Sequence, residues 1–256
     1  PSMWDVTSEK TLRSWIIRWA FRAPFAMVIC TQDGSGGEYW LPKVLRRGVP
    51  FHMLLNGRTE VAPSSDSHPK LKDLPKDRTI VLFVGRFETI KGCEEFVEAI
   101  ITLHSQKRDD IHGLMIGTGY HYHTIRSRVR EAGAEDMFTF IERLPHANIA
   151  AAHKCSDIYV SLNRLGQLSN SNLEAMSLGA CMVIPAAQYD RGIDVETDKL
   201  IDGDSVVRIP WHNQVAALAD IICELTKNPE RRNTLSSNVK ATAQSTIPTW
   251  HQRVEQ

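Results

Sequence analysis

Two cations lie five positions apart in Gly85-Arg86-Phe87-Glu88-Thr89-Ile90-Lys91-Gly92, with a glycine at each end of the stretch. Beside a helix N-terminus such a pair makes an anion site, because free backbone N–H groups and the helix dipole add to the side-chain charge. A diphosphate is the natural occupant: the guanidinium forks onto two oxygens and the ammonium acts as a point charge. The competing reading is a solvated turn whose charges pair with Glu88 and Glu94. A second candidate is Ser169-Asn170-Ser171-Asn172-Leu173-Glu174-Ala175-Met176, followed by Gly179. Small polar residues ahead of an apolar helix supply N-caps and exposed N–H groups, another anion cradle. Glu174 is expected in the first turn of that helix, where it either complements the dipole or accepts hydrogen bonds from a diol such as ribose.

Other motifs carry less. Gly117-Thr118-Gly119 lacks the third glycine of a dinucleotide fingerprint and an acid some twenty residues on, so it reads as a tight turn. There is no G-x-x-x-x-G-K-[ST] loop, no G-x-S-x-G elbow and no Ser-His-Asp ordering. His121 and His123, two apart on a helix, face away from each other, and no metal site is expected. The five cysteines, Cys30, Cys93, Cys155, Cys181 and Cys223, form no C-x-x-C pair and read as reduced thiols, most of them buried.

A length of 256 residues suits one large domain, or one domain and a fragment of another. With 30 Lys and Arg against 30 Asp and Glu the chain is formally neutral, which argues against a general nucleic-acid binder. No apolar run approaches the roughly 18 residues of a membrane span, and the N-terminus lacks a signal-peptide layout. A cytoplasmic protein is expected. The Pro1-Ser2-Met3 start is what a processed chain or a piece of a longer one would show.

From residue 79 short apolar runs alternate with helical patterns. Strands are expected at Thr79–Val84, 113–116, 137–141, 157–162, 181–185 and 205–209. Helices are expected at 93–106, 121–132, 147–154, 172–179, 213–227 and 229–243, the last two split by Asn228-Pro229. Continuous apolar strands between helices imply a parallel sheet covered on both faces, a doubly wound α/β domain. Residues 1–62 offer only a helix at 8–22, a strand at 25–31, a helix at 38–47 and a strand at 51–55, too few for a self-sufficient second sheet. Residues 63–78 read as a linker, which divides the chain into 1–62, a partial N-terminal domain, and 79–256.

Together these features resemble the C-terminal, donor-binding half of the GT-B glycosyltransferases, specifically the retaining family 4, or group 1, enzymes with their Rossmann-like C-terminal domain. The residues that carry the resemblance are Gly85-Arg86 to Lys91-Gly92, Gly117-x-Gly119, Asn172-Leu173-Glu174-Ala175-Met176 with Gly179 and Val183, Leu200-Ile201-Asp202-Gly203, and Thr249-Trp250. Asn56-Gly57 resembles the crossover from the family's first domain. The resemblance implies a nucleoside-diphosphate sugar as donor and no metal. Arg86 and Lys91 would hold the departing diphosphate, with Gly85, Asn170 and the amides of Ser171, Asn172 and Leu173 around the same phosphates. Glu174 would take the ribose hydroxyls, and the loop of Arg143, Leu144 and His146 would lie near the base.

Two features depart from the family. It places a second acid eight residues before the glutamate, against the donor sugar; that position here is Gly166, leaving Asn170 or Gln167 to take over the contact. Only the last two β-α units of the family's first domain are expected, without its glycine-rich loop. The implied function is transfer of a sugar to a hydroxyl acceptor, carbohydrate or lipid-linked, in polysaccharide or glycolipid assembly. The rival is a non-catalytic nucleotide-sugar-binding module or partner subunit. Trp15, Ile16 and Trp19 beside Arg13, Arg18 and Arg22 fit a core helix first, and otherwise a peripheral membrane contact; if exposed, the stripe invites a dimer or a partner domain.

Overall fold

The structure, a computed structural model, describes residues 11–58, 68–201 and 203–255. Residues 8–10 of the first expected helix, 59–67 around the expected linker boundary, and Asp202 lie outside the described residues.

Two parallel sheets organise the fold. The smaller pairs β1 (Val28–Gln32) with β2 (Phe51–Leu55), flanked by α1 (Leu12–Ala20) and α2 (Gly37–Val44). Alternation along β1 turns Val28 and Cys30 onto Trp40, Leu41 and Val44 of α2, while Ile29 faces out. The helix expected at 38–47 stops at Val44, where Leu45 turns extended. On α1, capped by the Thr11 hydroxyl, Leu12, Trp15, Ile16 and Trp19 are exposed rather than in a core.

The larger sheet holds β3 (Thr79–Val84), β4 (Ile111–Ile116), β5 (Phe138–Ile141), β6 (Ile158–Val160), β7 (Met182–Pro185) and β8 (Val207–Ile209). Their order is β5-β4-β3-β6-β7-β8, every pair parallel. The short α3 (Pro69–Lys72) leads in. Between strands run α4 (Cys93–Ser105), α5 (Tyr122–Glu131), α6 (Ile149–Lys154), α7 (Asn170–Leu178) and α8 (Val195–Leu200). The chain closes with α9 (Gln214–Lys227), α10 (Pro229–Thr246) and α11 (Trp250–Glu255).

This is the expected doubly wound α/β architecture. Val81 and Phe83 of β3 join Phe96, Ile100, Val129 and Ile222 under α4, α5 and α9. Ile80 and Leu82 point the other way, onto Leu71, Leu173, Met176 and Val239 under α3, α7 and α10. Each such side chain, fully buried, contributes about 1.5–3 kcal/mol. The chain builds outward from β3 to β5, then returns to β6 and builds the other way. That reversal opens a crevice between the carboxyl ends of β3 and β6, where open α/β sheets bind ligands.

Three further elements differ from expectation. Residues 68–78, taken as linker, send Leu71 and Leu74 into the core on one face of the larger sheet, and Lys70 Nζ donates to the Phe140 carbonyl at 2.8 Å. Helix α8 (VETDKL) has too few apolar residues to show a period. Helix α11 follows a segment that returns to the smaller sheet: Arg58 N–H donates to the Pro248 carbonyl at 2.7 Å and Arg253 Nε to that of Leu55 at 3.0 Å. Among the described residues no helix is long and apolar enough to cross a membrane.

Candidate functional site

The loop after β3 is held from below. Gly85 N–H donates to the Ile116 carbonyl and Phe87 N–H to that of Thr118, both at 3.0 Å. Phe87 is fully buried. Gly117 follows β4 at φ 137°, and a methyl there would meet the Gly85 carbonyl at 2.0 Å, so the 117–119 turn exists to let these loops touch. With its neighbours anchored, Arg86 projects outward and pairs with Glu88 at 2.8 Å. Lys91 ends a 3-10 turn, Thr89–Lys91, and is half-buried, its ammonium without a hydrogen bond or ion pair among the described residues. Burial, and then the Arg86 charge, hold its ammonium pKa below the usual value against the opposing pull of Glu88 and Asp33. Glu94 is not its partner; that carboxylate lies 3.5 Å from the Thr89 hydroxyl and 3.6 Å from His121 Nδ1. The competing reading of a fully paired surface turn thus holds for Arg86 and fails for Lys91.

Opposite this loop stands the N-terminus of α7. Ser169 is extended, and its carbonyl accepts from the N–H groups of Asn172 and Leu173, both at 2.9 Å. The N–H groups of Asn170 and Ser171 have no acceptor among the described residues. The cradle expected at Ser171–Leu173 is therefore shifted toward the N-terminus: Asn170 and Ser171 are open, Asn172 and Leu173 are spent. The Asn172 side chain, 1% exposed, accepts from the Tyr159 hydroxyl at 2.9 Å and donates to the Gln167 carbonyl at 2.9 Å. Glu174 sits beyond the first turn, contrary to expectation, which removes dipole complementation as its role. Its nearly buried carboxylate instead meets His146, Nε2 to Oε1 at 2.5 Å.

These groups line one groove. A cavity of about 450 Å³ is bounded by Leu144, His146, Glu174, Ser171, Gly57 and Trp250. Through Val84 and Ser171 it meets a narrower one of about 280 Å³ that holds Gly85, Arg86, Lys91, Ser169 and Asn172. Past Arg86, Lys91 and Asn163 lies a third, about 460 Å³, closed by Asp33, Asn56 and Asn170. Of the residues named from sequence, the structure gathers Gly85, Arg86, Lys91, Leu144, His146, Asn170, Ser171, Asn172 and Glu174 along this groove. Leu173 is in the core, and exposed Arg143 lines none of the three cavities.

The third cavity contains a residue that sequence reasoning passed over. Asp33 follows β1 in Asp33-Gly34-Ser35-Gly36-Gly37, and its Oδ1 accepts from Ser35 N–H at 2.9 Å. The signal was there: an Asp before glycines, between a strand and a helix, marks an Asx turn. The turn docks on the larger unit, where Leu168 N–H donates to the Asp33 carbonyl at 3.0 Å and Asp194 N–H to that of Gly34 at 2.7 Å. Gly166 lies against it at φ 114°, and a methyl there would come within 2.4 Å of the Asp33 carbonyl oxygen. Gln167 cannot take the sugar contact. Its amide, 1% exposed, donates to the Asn163 carbonyl and accepts from Ser161 and Asn172. Asp194 Oδ1 accepts from Gln167 N–H at 2.7 Å and from the Thr197 hydroxyl at 2.8 Å, and burial pushes its carboxyl up to about 7. Asn170 bonds Asn56 across the groove at 2.6 Å. Among the described residues no group of three or more His, Cys, Asp or Glu is placed to hold a metal.

A family model described as "Glycosyl transferases group 1" matches residues 64–242. A 2-deoxystreptamine glucosyltransferase of Streptomyces kanamyceticus is 30% identical over 174 residues, 67% of this chain and 43% of that one. Sucrose-phosphate synthase from Thermosynechococcus elongatus matches with a TM-score of 0.79 at 19% identity, covering 99% of this chain and 63% of that one. HepE of Anabaena, solved in complex with UDP and glucose, matches with a TM-score of 0.74 at 16% identity, covering 94% of this chain and 65% of that one. At these identities the structural likeness establishes the fold. The chain spans less than half the length of the curated relatives it matches.

Proposed function

The chain belongs to the group 1 glycosyltransferase family, and from that premise we propose that its groove binds a nucleoside-diphosphate sugar and that the sugar is transferred to a hydroxyl acceptor with retained configuration. The observation that carries this reading is that Lys91, its ammonium unpaired among the described residues, outward Arg86 and the open N–H of Ser171 meet at one narrow cavity, with Asn170, whose N–H is also open, lining the cavities on either side. Four donors, two of them charged, facing each other at a helix N-terminus fit a diphosphate. The nucleoside occupies the first cavity, its ribose hydroxyls on Glu174 and its base toward Leu144. The sugar lies in the third.

When the C1–oxygen bond breaks, its electron pair departs on the phosphate oxygen, and the charge grows where these donors already point. Stabilisation costs no reorganisation at that moment, which is how such groups lower a barrier. This arrangement needs no metal to neutralise the leaving diphosphate. The bound UDP and glucose of HepE support the donor class. A carbohydrate or lipid-linked acceptor belongs to the same proposal, as does a membrane or partner-domain contact through the exposed face of α1.

Calorimetric titration with UDP, GDP and ADP and their sugar conjugates tests it. One diphosphate should bind selectively, and Arg86→Ala should weaken it about 10- to 100-fold, the worth of a charged hydrogen bond. No binding to any of them refutes the proposal. A glycine at 166, where the family places an acid, favours a second reading, donor binding without transfer. Tight binding with neither hydrolysis nor transfer would select it.

A further inference from the structure

We propose that Asp33, contributed by the smaller sheet unit, is the carboxylate that receives the hydroxyl groups of the donor sugar. This rests on the groove being a sugar-nucleotide site. With the nucleoside in the first cavity and the phosphates in the middle, whatever is attached to the terminal phosphate extends past Arg86 and Lys91 into the third.

A sugar presents hydroxyl donors, and an ionised carboxylate accepts from them about twice as strongly as a neutral group does. Among the described residues lining that cavity, Asp33 is the one acid. Its Oδ1 holds the Ser35 N–H, and its Oδ2 has no donor among the described residues. Three neighbouring amides are already engaged. Asn163 donates to the Gly166 carbonyl at 2.6 Å, Asn170 is bridged to Asn56, and Gln167 is sealed inside. The docked turn also explains why position 166 carries no acid. Any side chain there would collide with the Asp33–Ser35 backbone, so the larger unit cannot place a carboxylate from that position while the smaller unit delivers its own.

The test compares affinities of wild type and Asp33→Asn for the bound diphosphate (UDP, GDP or ADP) and for its glucose, N-acetylglucosamine or mannose conjugates. Asparagine keeps an oxygen for Ser35 N–H, so the turn should persist, and an unchanged melting temperature verifies it. Asp33→Ala serves as a second variant. The free diphosphate should bind Asp33→Asn equally well or slightly tighter, since a negative charge has left the neighbourhood of the phosphates. The preferred conjugate should lose about tenfold or more, shifting the conjugate-to-diphosphate ratio. An unchanged ratio, or equal losses for both ligands, overturns the assignment. Failure of wild type to bind any diphosphate fails the groove reading itself, and Asp33 with it.

Discussion

Replacing Lys91 with methionine should move stability and binding in opposite directions. The ammonium is half-buried, lacks a hydrogen bond or ion pair among the described residues, and feels Arg86. Because its folded-state pKa lies below the unfolded value, the folded protein holds that proton less tightly than the unfolded chain does, and at neutral pH the charge works against folding. Methionine keeps the apolar stem and deletes the charge, so Lys91→Met should melt at a higher temperature. A diphosphate reverses the balance. Opposite unit charges about 4 Å apart attract by about 4 kcal/mol at an effective dielectric constant near 20. After the phosphate sheds water, a charged hydrogen bond nets about 1.5–3 kcal/mol. Loss of Lys91 should therefore weaken diphosphate binding about 10- to 150-fold, more at low salt than at high. Thermal melts and calorimetric titration with UDP, GDP and ADP at two ionic strengths measure both effects. A lower melting temperature, or an affinity within threefold of wild type, refutes the reasoning.

The helix N-terminus can be dissected at one residue. Ser169 is already extended, the conformation required before proline, so Asn170→Pro should fold while deleting one open N–H. It should bind the diphosphate about tenfold more weakly than Asn170→Ala, which keeps that N–H and loses the same contact to Asn56; equal affinities exclude the N–H as a phosphate ligand. At the docked turn, burial pushes the Asp194 carboxyl up to about 7 from an unfolded value of 3.8, so the folded state holds the proton more tightly. Its ionisation therefore opposes folding increasingly from about pH 4 to 7 and by a constant amount above that. Relative to Asp194→Asn, wild type should lose roughly a few kcal/mol between pH 5 and 8, read from urea midpoints. His112 and His153, held near 4 by burial, are present in both proteins and cancel. Parallel pH profiles exclude Asp194 as the titrating group.

The larger sheet was legible because its strands are apolar along their whole length, as in Thr79–Val84, and its helices keep a clear period, as in Cys93–Ser105. The phosphate-facing residues were legible because glycines, paired cations and small polar residues mark strand-to-helix turns. What local pattern could not show was the state of each group within the site. Which amides of α7 are open depends on the Ser169 carbonyl, and whether Gln167 is free depends on Ser161 and Asn172 around it. Whether Glu174 serves the helix dipole or a diol stayed open until the helix start fixed it one turn in, against His146. Asp33 lies 133 positions from Gly166, and only folding places its carbonyl where a side chain at 166 would go. Helices α8 and α11 escaped notice because short polar segments take their shape from what they dock against.

The return of the chain at Pro248 has a mechanical consequence. Arg58, which follows β2 of the smaller sheet, lies beside Pro248–Thr249, where the chain comes back from the larger unit and the two backbones bridge. Two neighbouring crossings act as a double pin. Sliding of one unit along the other stretches the Arg58 and Arg253 hydrogen bonds at once, whereas rotation about the pinned line leaves them intact. In such a rotation Gly57 and Trp250, beside the pin, would move least. The Asp33 turn lies away from it, held by hydrogen bonds of its own to Leu168 and Asp194, so the leverage of any rocking is greatest there.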